Sequence, residues 1–356
     1  SARSAKLNGI GRAHRVAYQA HHSVNQLRDS ASVTHRRFAL FLLASLAVPV
    51  TAHGEVVARP EFQLTDTCPA SFELQEGGCV LRNRYREYRS LRDAGVGGLK
   101  TGLPALREGF TPQQIDLGRY LFFDPMLSAD GSVSCASCHD PSKGFADGRA
   151  LAVGIGGQTL SRSAPSLWNI GFFDTLLWDG SKSSLEEQLI GPLYADNEMG
   201  NRPEQLITDL RSNAIYRDLF TVAFGPGEIG LDHVYTAITA FESSLVSLNS
   251  RYDFYAHGLQ TALSTSELEG LNVFRSFVSR CGECHTPPLF SNQEIAIIGV
   301  PEPEGRPFDP GAGATFGIPS QRGGFRVPSL RNIAKTAPYM HQGNFDSLRD
   351  TVAFYN

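Results

Sequence analysis

The sequence predicts a mainly α protein built from two similar domains, and three observations carry that prediction. Apolar residues recur at helical spacing in three separate segments, and no long alternating run signals a sheet. A helix followed by the pattern Cys-x-x-Cys-His also occurs twice, about 146 residues apart.

The first helical segment opens at Thr111-Pro112, a capping residue followed by proline at the first helical position. Ile115, Gly118, Leu121 and Phe122 then mark one face. Val234, Ile238, Phe241 and Leu245 form the second apolar stripe. In the third, Ser264 and Glu267 make a capping box, and Leu268, Leu271, Phe274 and Val278 repeat at helical spacing, so this helix is predicted to run directly into Cys281. Gly225-Pro226-Gly227 breaks the chain between the two Cys-x-x-Cys-His motifs.

The six cysteines divide by spacing into Cys68 with Cys79, Cys135 with Cys138, and Cys281 with Cys284. Ten residues separate Cys68 from Cys79, among them Pro69, Gly77 and Gly78, a segment able to fold back and close a disulfide in an oxidising compartment; two unpaired thiols are the alternative. The other pairs are each followed by histidine, His139 and His285. Two intervening residues set the sulfurs at the separation of the heme vinyl groups, and the next residue is forced under the ring, where its imidazole takes one axial position of the iron. Zinc binding and thioredoxin-like chemistry are the competing uses of such pairs, but histidine follows both and no βαβ pattern surrounds either. The expected architecture is therefore two cytochrome c-like domains, each with one covalent c-type heme. The first (heme 1) spans 101–227 and the second (heme 2) 228–356, preceded by an extension over 53–100 that contains Cys68 and Cys79. The Pro- and Gly-rich stretch Pro301–Gly324 is expected to be a long loop covering a heme edge.

At 356 residues, 41% hydrophobic and 19% charged, the chain is neither disordered nor collagen-like. Residues 1–52 hold seven Lys and Arg against Asp29 alone, leaving 25 basic and 35 acidic residues, a net charge of −10, in the remainder. Such a body argues against nucleic acid and for a basic protein partner. The longest apolar run, Phe38–Val50, has 13 residues, too short to span a bilayer, so no stable membrane insertion is expected. His35, Arg36 and Arg37 precede that run and Val50-Thr51-Ala52 ends it, which reads as a secretory signal cut after Ala52 and following an over-extended start. Export to the periplasm suits c-type heme attachment.

From Leu117 the chain reads LGRYLFFDPMLSADGSVSCASCHDPSKGFADG, then RSAPSLWN, WDGSKSSLEEQLIGPLYADNEMG and finally FRVPSLRNIAKTAPYMHQG. Over residues 111–356 this resembles the bacterial diheme cytochrome c peroxidase family. The resemblance implies that heme 1 has an open iron site where hydrogen peroxide is split, that heme 2 relays electrons, and that Trp178 lies between them. It makes Glu198 the distal carboxylate and Gln188 the distal amide. Splitting the O–O bond needs a group that removes a proton from one oxygen and returns it to the leaving hydroxide, and a desolvated carboxylate does both.

Two departures point to the MauG-like branch. Sixteen residues after His139, where standard members hold a histidine that caps heme 1, stands Ile155, which cannot ligate iron. Fourteen residues after His341, where they hold the methionine ligand of heme 2, stands Tyr355. A phenolate lowers potential and favours oxidised iron, whereas a thioether raises it. Met340 and His341 are the other candidates for that position, since Met126 and Met199 belong to heme 1 motifs. Thr336 and Pro338 match positions that bind Ca²⁺ in the family, although Ser163 replaces the partner asparagine. Relatives continue beyond the position of Asn356, so truncation of the C-terminus is expected. The implied function is a periplasmic peroxidase drawing electrons from a small cytochrome, a cupredoxin or residues of a partner protein. The alternative is a diheme electron-transfer cytochrome without peroxide chemistry.

Overall fold

The computed structural model describes residues 62–86 and 102–356. The expected leader over 1–52, and parts of the extension at 53–61 and 87–101, lie outside the described residues. In chain order the elements are β1 (Phe72–Gln75), β2 (Gly78–Leu81), α1 (Asn83–Arg86), α2 (Pro112–Phe123), α3 (Cys135–Cys138), α4 (Leu185–Tyr194), α5 (Pro203–Ser212), α6 (Ala214–Phe224), α7 (Leu231–Ser243), α8 (Arg251–Ala256), α9 (Thr265–Phe274), α10 (Cys281–Cys284), β3 (Ile295–Ala296), α11 (Ala312–Thr315), β4 (Phe325–Arg326) and α12 (Leu348–Phe354). The mainly α expectation holds. The strands form only two antiparallel pairs, β1 with β2 and β3 with β4. Among the described residues no helix is long and apolar enough to cross a membrane.

α2 begins where its capping signal predicted. The Thr111 hydroxyl accepts the Gln114 N–H, and the Gln114 amide oxygen accepts the Thr111 N–H, each at 3.1 Å. Its apolar face packs on α7, and the pair stands between two hydrophobic clusters. One joins Leu117, Leu121, Val234 and Ile238 to Leu193, Leu206, Leu210 and Phe220 from α4–α6. The other joins Ile115, Phe122 and Phe241 to Phe72 and Leu81 of the hairpin and to Leu289 beyond α10. The two backbones approach so closely that a Cβ at Gly118 would lie 1.8 Å from the Ala237 carbonyl oxygen. Gly118→Ala is therefore expected to force the helices apart and to cost about 1–3 kcal/mol, read as a lower denaturation midpoint.

Two expectations need correction. α7, assigned by its sequence position to the second domain, packs on α2 of the first. The Gly225-Pro226-Gly227 break is the turn between α6 and α7, with Gly225 at φ +87° capping α6, and the core runs across the 227/228 boundary. The helix expected to reach Cys281 ends at Phe274 instead. The Val273 carbonyl, which a continuing helix would offer to residue 277, is taken by the Ser276 N–H at 3.0 Å and by the Ser279 hydroxyl. Phe277 and Val278 are consequently 94% and 95% exposed, just before Cys281.

Cys68 and Cys79 form the disulfide that their spacing allowed. Cys79 lies on β2, whose turn from β1 passes through Glu76 and Gly77, both at positive φ as a two-residue hairpin requires. The Cys79 N–H donates to the Phe110 carbonyl at 2.7 Å, docking the hairpin just ahead of α2.

Candidate functional site

Each Cys-x-x-Cys pair forms a single helical turn, α3 or α10, with the following histidine at its C-cap. The His139 N–H closes the first turn on the Cys135 carbonyl, and the His285 N–H closes the second on the Cys281 carbonyl, both at 2.9 Å. The side chains are oriented in parallel ways. Nδ1 of His139 lies 3.0 Å from the Phe145 carbonyl, and Nδ1 of His285 lies 3.1 Å from the Phe290 carbonyl. A carbonyl only accepts, so Nδ1 carries the proton and Nε2 keeps its lone pair. Burial holds both imidazoles below the ordinary histidine value, which preserves that neutral form. Phe145 and Phe290 sit at φ +58° and +56°, a left-handed conformation that turns each carbonyl toward its histidine.

Burial pushes the Cys135 thiol up to about 12 and, with the charges of Asp147 and Glu198 adding, the Cys138 thiol up to about 11. Glu198 therefore acts on the first motif. It stands on the turn after α4, and burial raises its own carboxyl above the usual range. Its carbonyl accepts the Ile155 N–H at 2.8 Å, so Ile155 and Glu198 are backbone partners. The two turns are pressed together: a Cβ at Gly154 would meet the Asn197 carbonyl oxygen at 2.0 Å, and one at Gly200 would meet the Ile155 Cδ1 at 2.4 Å. Gln188 is half-buried on α4, and its side-chain amide makes no hydrogen bond to Glu198 among the described residues.

Tyr355, at the C-cap of α12, is 56% exposed; partial burial raises its phenol, and Cys284 and Cys281 of the second motif add to that shift. The Met340 carbonyl accepts the Ser163 hydroxyl at 3.2 Å, and the His341 ring stacks on Phe325 with centroids 3.8 Å apart.

Trp178 is one of the points where the two sequence halves touch. Its indole N–H donates to the Ser163 carbonyl at 2.8 Å, and the Ser163 N–H donates to the His341 carbonyl at 2.8 Å. The Trp178 and His341 rings lie edge to face, 6.4 Å between centroids. Arg162 bridges Asp179 at 2.9 Å and Asp309 at 2.7 Å, which fastens the 301–324 loop to the Trp178 segment. Thr336 and Pro338 lie on a neighbouring loop, where the Thr336 methyl approaches Gly144. No group of three or more His, Cys, Asp or Glu side chains able to hold a metal ion occurs among the described residues.

This arrangement has known counterparts. The family model for di-haem cytochrome c peroxidase matches residues 112–261. The methylamine utilization protein MauG of Methylorubrum extorquens is 36% identical over 246 residues, covering 69% of this chain and 69% of that protein. The chain belongs to the diheme cytochrome c peroxidase family. Cytochrome c551 peroxidase of Nitrosomonas europaea is likewise 36% identical over 247 residues, covering 68% of this chain and 73% of that one. The crystal structure of the diheme peroxidase BthA from Burkholderia thailandensis superposes with a TM-score of 0.62 at 31% identity, covering 69% of this chain and 72% of that chain. The protein is thus a diheme peroxidase-like oxidoreductase, and the family implies heme c. The residues present fit that group. Each motif offers two thiols on one helical turn beside a neutral imidazole with Nε2 free, and the four thiols remain unpaired while Cys68 and Cys79 are bonded.

Reading the sequence left out a repeat that the diheme fold makes plain. Pro-Ser-Leu-Trp-Asn at 165–169 and Pro-Ser-Leu-Arg-Asn at 328–332 are offset by 163 residues. Ser166 donates to the Gly144 carbonyl and Ser329 to the Leu289 carbonyl, both at 2.6 Å, and Asn169 and Asn332 both bond Ser247. The same offset relates Trp178 to His341. These two touching rings hold equivalent places in the two halves. The recurring Pro-Ser-Leu-x-Asn string was the available signal.

Proposed function

We propose that the protein is a periplasmic peroxidase of the MauG-like branch, with heme 1 on Cys135, Cys138 and His139 and heme 2 on Cys281, Cys284 and His285. The bound hemes supply the electron transfers that carry hydrogen peroxide to water. Near heme 1, Ile155 offers only aliphatic carbon, which would not ligate the iron. Glu198 beside it takes a proton from one peroxide oxygen and returns it to the leaving hydroxide, a transfer suited to a desolvated carboxyl. Gln188 orients the peroxide through its amide. Trp178 holds the path between the halves, and Tyr355 serves as the hard oxygen ligand of heme 2, favouring its oxidised form.

The observation that carries this reading is the pairing of the Ile155 N–H with the Glu198 carbonyl at 2.8 Å, which joins a non-ligating residue to a half-buried acid beside the first motif. Electrons come from a protein donor: a small cytochrome, a cupredoxin or residues of a protein substrate. The acidic charge of the chain favours a basic surface on that donor. The Cys68–Cys79 disulfide supports an oxidising compartment.

Optical and EPR spectra of the ferric protein test the proposal. We expect a high-spin component from heme 1 and a low-spin heme 2 whose signals shift, with a raised potential, in Tyr355→Met. Two purely low-spin hemes would identify a diheme electron carrier instead, and unchanged heme 2 signals in the variant would remove Tyr355 from the iron.

A further inference from the structure

α7 presents three polar side chains that the reaction above does not use. Thr239, Glu242 and Ser243 fall at i, i+3 and i+4 on one face and are 0%, 5% and 3% exposed. The Thr239 Oγ1, Glu242 Oε2 and Ser243 Oγ atoms have no hydrogen-bond partner among the described residues. One such orphan is costly, and three on a single helical face call for partners that the protein itself does not supply.

The surroundings give the site a direction. Glu242 acts on the thiol of Cys135, the residue that would carry a thioether of heme 1 without ligating its iron. From α4, Glu186 acts on Glu242, and Glu186 is itself paired with Arg107 near the surface. Ser243 is pressed against Gly171, where a Cβ would lie 2.9 Å from the Ser243 Cα, and the Gly171 carbonyl accepts the Arg107 N–H at 3.1 Å. On α2, the other helix packed against α7, Asp116 and Arg119 pair with each other at 2.7 Å. Glu242 thus lies within electrostatic reach of both Glu186 and Cys135.

We propose that Thr239, Glu242 and Ser243 enclose a small buried water cluster and that Glu242 is the proton-loading group of heme 1. When heme 1 gains an electron from the protein donor, Glu242 takes one proton from solvent by way of Glu186; when that electron leaves, the proton returns. The O–H bond formed on Glu242 is matched by one broken on a solvent hydronium, the Glu186 carboxylate passing the proton on, and the same bonds are remade in reverse when it leaves. The oxidised heme attracts the buried carboxylate, and reduction weakens that attraction, so electron and proton arrive together. Burial, with Glu186 adding, pushes this carboxyl up to about 8, where it responds to such a change near neutral pH. The inference rests on the assignment of heme 1 to Cys135, Cys138 and His139.

The test is potentiometry of the holoprotein across the neutral to mildly alkaline range, with infrared difference spectra on reduction. In the wild type the heme 1 midpoint should fall by up to about 59 mV per pH unit, the value for one proton per electron. A protonated-carboxyl band should appear on reduction. Glu242→Gln should flatten the slope and remove the band while both hemes stay attached. If that variant fails to load heme, Thr239→Val with Ser243→Ala keeps the carboxyl but removes the water ligands and should shift both slope and band. A slope and band unchanged in these variants overturn the proposal. A wild-type heme count below two by pyridine hemochrome would instead overturn the underlying heme assignment.

Discussion

Glu198→Gln is expected to lower peroxide turnover by roughly 10²–10⁴-fold, the range that a positioned acid–base group contributes, while heme content and the ferric spectrum stay as in the wild type. The amide keeps the size and polarity of the side chain but cannot take the proton. The pH profile gives a second readout. Burial raises the Glu198 carboxyl above its ordinary range, and the working base is the ionised form, so the acid limb of kcat/KM should lie above the usual carboxylate value. That limb should vanish in the variant. Turnover within a few-fold of wild type, with the limb intact, would assign the proton transfer to another group.

Arg331→Leu is expected to destabilise the protein by about 3–5 kcal/mol, because it removes the guanidinium from a buried ion pair. Its guanidinium grips Asp253 through two bonds of 2.5 and 2.7 Å, and Nε donates to the Pro288 carbonyl at 2.9 Å. Both partners are almost fully buried, 1% exposed for Asp253 and 6% for Arg331. Burial alone would raise the Asp253 carboxyl; the hydrogen bonds and charge of Arg331 outweigh it and hold the group below its ordinary value. A carboxyl depressed in the folded state stabilises above its unfolded pKa, and that contribution is lost as pH falls through the folded value. The gap between wild type and variant in chemical denaturation should therefore be widest near neutrality and narrow below about pH 4. Adding Asp253→Leu should recover part of the loss. The Pro288 contact also steadies the loop that carries Phe290, so we expect the heme 2 spectrum to broaden in the single variant.

What the sequence made legible follows from where physics leaves a side-chain signature. α2 and α7 bury one face each, so the spacing of Ile115, Leu121, Val234 and Ile238 announced them. The turns that hold Cys135 and Cys281 were visible because covalent chemistry dictates their spacing. α9 misled because Val278 continues an apolar period that the Ser276 and Ser279 contacts to Val273 interrupt, and local hydrogen bonding of this kind competes with helix without altering the apolar pattern. The domain break at Gly227 misled because a glycine-rich turn looks the same whether the helices beside it separate or pack together. The acceptors for His139 and His285 were invisible as chemistry, since a backbone carbonyl has no residue type. Glu242 was passed over as one polar residue in an amphipathic helix, and only its burial distinguishes it.

The state of the six cysteines has a consequence for making this protein. One pair is joined, and on the proposed heme assignment the other two pairs, each close in sequence, carry the porphyrins. On that assignment, a cell that matures the protein must oxidise Cys68 and Cys79 yet keep the other four reduced until the porphyrin arrives, and thiols two residues apart close readily under an oxidant. A production host whose thiol oxidase outruns its cytochrome assembly apparatus should accumulate colourless protein with four scrambled sulfurs. Holding that oxidase back should yield more red material than raising heme supply.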